Sequence, residues 1–282
     1  VQGHVSYKPF SLFSEDKTGR TLRVAQAGDA DYRSISAAVA AAQPRDRIEI
    51  TDSASYFEEG QITQSFLSIQ PASGVTPTID RIVCFGVQGI TLQGLEVLDG
   101  IVVQDGSVNV VIRDADIHSE QYGIIVQDGS VDVDIREANI RSGQYGIIVQ
   151  DGSVDIAIRE SDIRSAQTGI LVSGLSEARI EQNQIHDAVY GVWVQAQAQV
   201  TVAANQIFAN SSHGVVALAS TVTLADNDIF DNPDTGVVVQ DDSAFHLIRN
   251  TVSSNGKGIL CYESIGDMDG NAIEQNRGVG LQ

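Results

Sequence analysis

Between Gln121 and Ala166 the chain passes twice, almost letter for letter, through one pattern of apolar and polar positions, and a close relative of it begins at Leu98. In Val131-Asp-Val-Asp-Ile-Arg136 the two kinds alternate strictly. This predicts a strand with Val131, Val133 and Ile135 on one face and Asp132, Asp134 and Arg136 on the other. Gly123-Ile-Ile-Val-Gln127 predicts a second strand, rich in β-branched residues and closed by the turn dipeptide Asp128-Gly129. A third, shorter strand holds Ile140. The glycine that opens each copy recurs at Gly100, Gly123, Gly146, Gly169, Gly191, Gly214, Gly236, Gly258 and Gly280, always 22 or 23 residues apart. A period this regular marks a solenoid.

No segment inside the repeats shows the i, i+3, i+4, i+7 spacing of a helix, so three short strands and their turns must fill each repeat. That excludes a leucine-rich repeat of similar length. The expected fold is all-β: a single-stranded, right-handed parallel β-helix of about nine to ten rungs, forming a rod on the order of 45 Å long at ~4.8 Å per rung. In the later rungs Asn183, Asn205, Asn227, Asn250 and Asn271 each stand two residues before an apolar strand residue, where stacked amides can bond along the rod.

The two ends depart from the repeat. Residues 1–20 form an N-terminal arm with Tyr7, Phe10, Leu12 and Phe13 available for packing. Residues 21–60 contain a first strand at Thr21–Val24 and, between Asp31 and Gln43, an amphipathic helix marked by Ile35, Ala38, Val39 and Ala42 and ended by Pro44. This helix is the expected lid on the N-terminal end of the β-helix, which covers residues 61–282. The last rung is cut short at Val279-Gly-Leu-Gln282, so continuation past Gln282, or cover by another subunit, is expected there.

The chain carries 17 Lys and Arg against 37 Asp and Glu, a net charge of −20. Only Lys8, Lys17 and Lys257 are lysines, which argues against a nucleic-acid partner or an anionic membrane surface. No apolar run approaches the ~20 residues of a membrane span. Cys84 and Cys261 lie about eight rungs apart, too far for a disulfide and silent about the compartment, which the sequence leaves open.

The run from Val24 to Ala42, with Tyr56-Phe-Glu-Glu59 after the next strand, is similar to the opening of the pectin lyase-like superfamily, and the glycine-led rungs resemble its parallel β-helix repeats. The resemblance covers nearly the whole chain. It implies the fold above and either a carbohydrate-active enzyme, a polysaccharide lyase or glycoside hydrolase, or a non-catalytic β-helical part of a larger protein. The signatures of the superfamily's methylesterases, epimerases, pectate lyases and polygalacturonases are not found. Asp241-Asp242 and His213-Gly214 have polygalacturonase-like residue types but the reverse order. If the chain is an enzyme, Asp241, Asp242, His213 and His246 are the residues to examine.

Two columns offer other chemistry. Asp105, Asp128 and Asp151 each stand in Gln-Asp-Gly-Ser, where the turn geometry explains them and shared Ca²⁺ binding is the weaker alternative; no other cofactor is implied. On the glycine-led strand, the position between the two inward residues faces out and is apolar in every rung: Val102, Ile125, Ile148, Leu171, Trp193, Val216, Val238 and Leu260. Such a stripe predicts a covered face, with two readings open: β-propensity with cover from the chain's own N-terminal arm, or a docking surface for another protomer or protein domain with Trp193 as anchor. Tyr122, Tyr145 and Tyr190 precede the strand glycine and stack or bind sugar rings, which makes polysaccharide a further candidate partner. The near-identity of the central rungs favours a non-catalytic binding or scaffold module, because unique chemistry usually breaks a repeat.

Overall fold

A computed structural model describes residues 19–282. The N-terminal arm, with Tyr7, Phe10, Leu12 and Phe13, lies outside the described residues except for Gly19 and Arg20.

Each rung is a triangle of parallel strands, typified by Val131–Arg136 on a long face, Asn139–Ser142 on a short face and Tyr145–Val149 on the glycine-led face. Neighbouring rungs pair residue for residue, Val133 with Ile156, Ile140 with Ile163 and Ile147 with Ile170. The inward residues of all three faces are buried in one continuous core, except towards the last coil, where Cys261, Met268 and Ile273 are only partly buried. The long strands form a single sheet of 12. The solenoid therefore has about 12 coils, more than the nine or ten expected, and a length on the order of 55 Å. The additional coils lie at the N-terminal end. There Thr21–Val24, Arg47–Ile50 and Ser68–Pro71 continue the sheet in coils without the glycine that marks the later rungs, and Gln88–Gln93 begins the coil that carries Gly100.

That glycine is required by close approach rather than by backbone conformation. None of the column from Gly123 to Gly258 has a positive φ. A Cβ on Gly146 would stand 2.4 Å from the carbonyl oxygen of Gly169 and 2.6 Å from Cγ2 of Ile163. The turns make the opposite use of glycine. Asp128 and Gly129 are both left-handed, at φ 55° and 66°, and the buried Ser130 closes the turn by donating its hydroxyl to the Gln127 carbonyl at 2.8 Å.

One alternation read from the sequence is corrected. Val131 is only half-buried, whereas Ser130 takes the inward place, because Asp132 is left-handed at φ 58° and forms a bulge. Asn109 and Asp155 repeat it at φ 56° and 55°. These three residues account for the extra length of their 23-residue rungs compared with the 22-residue rung opening at Gly169, which has no such bulge.

The expected asparagine ladder is present. Asn183, Asn205 and Asn227 each donate Nδ2 to Oδ1 of the next, at 3.0, 3.0 and 2.9 Å, and Asn250 closes the run onto Asn271 at 2.9 Å. A second ladder, not read from the sequence, joins Asn210, Asn232 and Asn255 at 3.1 and 3.0 Å. At the N-terminal end the helix spans Ile35–Ala41, shorter than Asp31–Gln43, with Ser34 as its N-cap. Ile35 and Ser36 donate backbone N–H groups to the Glu58 carboxylate, and Ile35, Ala38 and Val39 join the core. Both cysteines are free, Cys84 in the core and Cys261 half-buried against it.

Candidate functional site

The glycine-led strands place two polar columns on either side of the apolar stripe. On one side the position before the glycine aligns Tyr122, Tyr145, Thr168, Tyr190 and His213. On the other, Gln150 donates to Gln127 at 3.0 Å and Gln127 to Gln104 at 2.9 Å, an amide ladder on the outside of the rod. Sequence reasoning missed this glutamine column, although its 23-residue recurrence within the Gln-Asp-Gly-Ser turns was available as a signal.

The stripe between these columns lies outside the core cluster, as its parity requires. It is not open along its length. Val102, Ile148, Val216 and Val238 are only 3–7% exposed, whereas Ile125, Leu171, Trp193 and Leu260 are half-buried. Ile125 stands in register between the buried Val102 and Ile148 and is itself half-buried, so side-chain type alone does not set the exposure along the stripe. The accessible part of the stripe is therefore confined to the places where the groove opens.

It opens most around Trp193. Tyr145, Gln167, Thr168, Leu171, Val189, Tyr190, Trp193 and Gln195 line a cleft of about 330 Å³. The Trp193 ring stands edge-on to Tyr190, with centroids 4.4 Å apart at 87°, and its Nε1 donates to Gln195 Oε1 at 3.0 Å. Tyr190 in turn leans on His213, with centroids 5.8 Å apart. His213 accepts the Thr235 backbone N–H at Nδ1, 3.3 Å, and burial pulls its pKa below that of a free imidazole; Asp234 opposes and Lys257 adds to the shift. The cleft thus combines an apolar-aromatic wall with amides and hydroxyls, and none of its lining residues is an acid, a lysine, an arginine or a histidine.

The structure separates the other residues examined for catalysis. Asp241 and Asp242 are exposed in a left-handed turn at φ 61° and 59°, at the far end of the Thr235–Gln240 strand from His213. At ~3.3 Å per residue that is roughly 20 Å of backbone. His246 points outward from the long face, where Asp267 Oδ1 lies 2.5 Å from its Nδ1. These four residues form no common site. Asp105, Asp128 and Asp151 occupy the exposed left-handed position of their turns, and Gly106 and Gly129 donate their N–H groups to the carbonyls of Asp128 and Asp151, both at 2.9 Å. Among the described residues no group of three or more His, Cys, Asp or Glu side chains is placed to hold a metal ion.

The fold recurs in solved structures at low sequence identity. The complex of XylC with xylose has a TM-score of 0.72 and 12% identity, over 87% of this chain and 70% of that one. Pectate lyase Pel9A has a TM-score of 0.64 and 14% identity, over 93% and 82%. The periplasmic alginate epimerase AlgG has a TM-score of 0.53 and 15% identity over 80% of this chain, which spans 63% of that protein's length. No curated protein sequence matches the chain. The family model described as the right-handed β-helix region matches residues 122–277, more than half of the 282 residues, and the chain belongs to that family.

Proposed function

We propose that this chain is a non-catalytic, carbohydrate-binding β-helix that holds an uncharged glycan in the Tyr145–Trp193 cleft. The observation that carries the reading is the cleft's composition: aromatic and aliphatic walls for the apolar faces of a sugar, with Gln167, Gln195 and Thr168 beside them for its hydroxyl groups. The absence of acids, bases and cations from the lining supports binding over chemistry, since hydrolysis or elimination needs a placed acid–base pair. The charge of −20 favours a neutral glycan over a polyuronide. The neighbours' names, which include a pectate lyase and a xylose complex, support a carbohydrate ligand in general. Association with a second protomer or a larger protein remains compatible with the same module.

The chain has one tryptophan, so its emission reports on this cleft alone. Titration with neutral oligosaccharides should shift that emission saturably, and Trp193→Ala should weaken binding, followed by calorimetry, by about 2 kcal/mol, roughly thirtyfold. Release of shortened or unsaturated products from any glycan, seen by mass spectrometry, would establish an enzyme instead. No response to any neutral glycan would remove the reading.

A further inference from the structure

The tyrosine column contains a gap. Its filled positions lie ring against ring, Tyr122 on Tyr145 with centroids 5.9 Å apart at 22°, and Tyr190 on His213 at 5.8 Å and 33°. Between them the register places Thr168, which carries no ring. Tyr145 and Tyr190 therefore stand two rungs apart, about 9.6 Å along the rod instead of ~4.8 Å. Each heavy-atom contact takes about 3.5–4 Å, so the spacing admits one inserted ring in contact with both walls and no second one. Thr168, 4% exposed, lies at the floor of the slot with Leu171, and Gln195 stands at its side with Oε1 already engaged by Trp193.

We infer that the cleft accepts a single pyranose ring, inserted edgewise between Tyr145 and Tyr190, and so recognises a terminal or branching sugar unit rather than a run of backbone units. The inference rests on the glycan-binding reading above and adds to it the class of unit recognised. A pyranose presents apolar faces to the two tyrosines and a rim of hydroxyls to the Gln195 amide, with the small, covered Thr168 leaving the space for its ring. Adjacent units of an unbranched chain cannot follow it into the column, because the places on either side are filled by Tyr122 with Tyr145 and by Tyr190 with His213.

The probes are an unbranched cyclic β-glucan, which has no terminal unit, and a xyloglucan oligosaccharide whose β-glucan backbone bears single xylose branches, with binding read from tryptophan emission and calorimetry. The branched ligand should bind about tenfold or more tightly than the cyclic one. Thr168→Tyr completes the column and should abolish binding while circular dichroism and the melting temperature remain those of a folded rod. Saturation-transfer NMR on the wild-type protein gives an independent readout, in which the protons of the branch unit should receive the strongest transfer. Equal affinity for the two probes, transfer spread along the backbone units, or full binding by folded Thr168→Tyr would each overturn the inference and leave glycan binding standing. Binding of neither probe, nor of any other neutral glycan, would overturn both.

Discussion

Asn205→Ala is the most informative perturbation of the fold, because the structure gives its cost group by group. The wild-type side chain accepts at Oδ1 from Asn183 N and Nδ2, at 2.9 and 3.0 Å, and donates from Nδ2 to the Ile180 carbonyl at 2.7 Å and to Asn227 Oδ1 at 3.0 Å. Asn205 is 1% exposed, so water cannot replace these partners. Alanine leaves the Asn183 backbone N–H without an acceptor and the Ile180 carbonyl without this donor. At roughly 1–3 kcal/mol for each buried group left unsatisfied, the variant should lose about 3–5 kcal/mol. Guanidinium unfolding followed by far-UV circular dichroism measures the loss, and hydrogen exchange should show it concentrated in the rungs around Asn183 and Asn205, since each rung contacts only its neighbours. A loss below about 1 kcal/mol, or protection lost evenly along the rod, would refute the assignment of these rungs' stability to the ladder.

Three other outcomes are expected. Gly169→Ala puts a Cβ 2.5 Å from Ile185 Cγ2 and 2.6 Å from the Gly191 carbonyl, so thermal melting should show roughly 2–4 kcal/mol lost, against about 1 kcal/mol for Gly129→Ala, where only the left-handed φ of 66° is strained and no atom lies within 4 Å. His213 resists protonation in the fold, so below the free imidazole value of about 6.5 the unfolded chain gains a proton that the native one does not, and stability falls as pH falls through that window. His213→Gln should flatten the dependence of unfolding midpoint on pH there, and an unchanged slope would count against the burial of that ring. Cys84 is buried with its thiol pushed up to about 12, so alkylation of the native protein should label Cys261 well before Cys84, and equal rates would show the N-terminal core to be open.

The fold was legible because the repeat announces it. Alternation gives the long strands, β-branched runs the glycine-led strands, and the recurring glycine the phase of each rung. Legibility ended where the period lost its marker. The three N-terminal coils lack the strand glycine, and their pairing into the same sheet rests on long-range register that local pattern does not contain. Val131 was misplaced because Asp132 adopts a left-handed conformation, which an Asp in an alternating run does not signal. The site was legible only as columns. The outward parity of Trp193 followed from the strand, but the burial of Val102 and Val216 did not, since it depends on what lies over the strand, which alternation does not encode. Thr168 attracts no notice as a residue, and its meaning comes from the tyrosines above and below it.

The bulges at Asn109, Asp132 and Asp155 bear on how such a rod can change its length over generations. Each stores one residue in a bulge near the start of its long strand, in step with its neighbours, so Val131 still faces both Val108 and Val154. Consecutive rungs here present nearly the same surfaces upward and downward. A copying error that inserts or removes one whole rung therefore joins compatible edges and moves everything beyond it by about 4.8 Å without rebuilding a contact. The near-identical copies between Gln121 and Ala166 are what a recent event of that kind leaves behind. The same freedom lets the rod set the distance between the Trp193 cleft and its N-terminal coils in whole steps, as a ruler does.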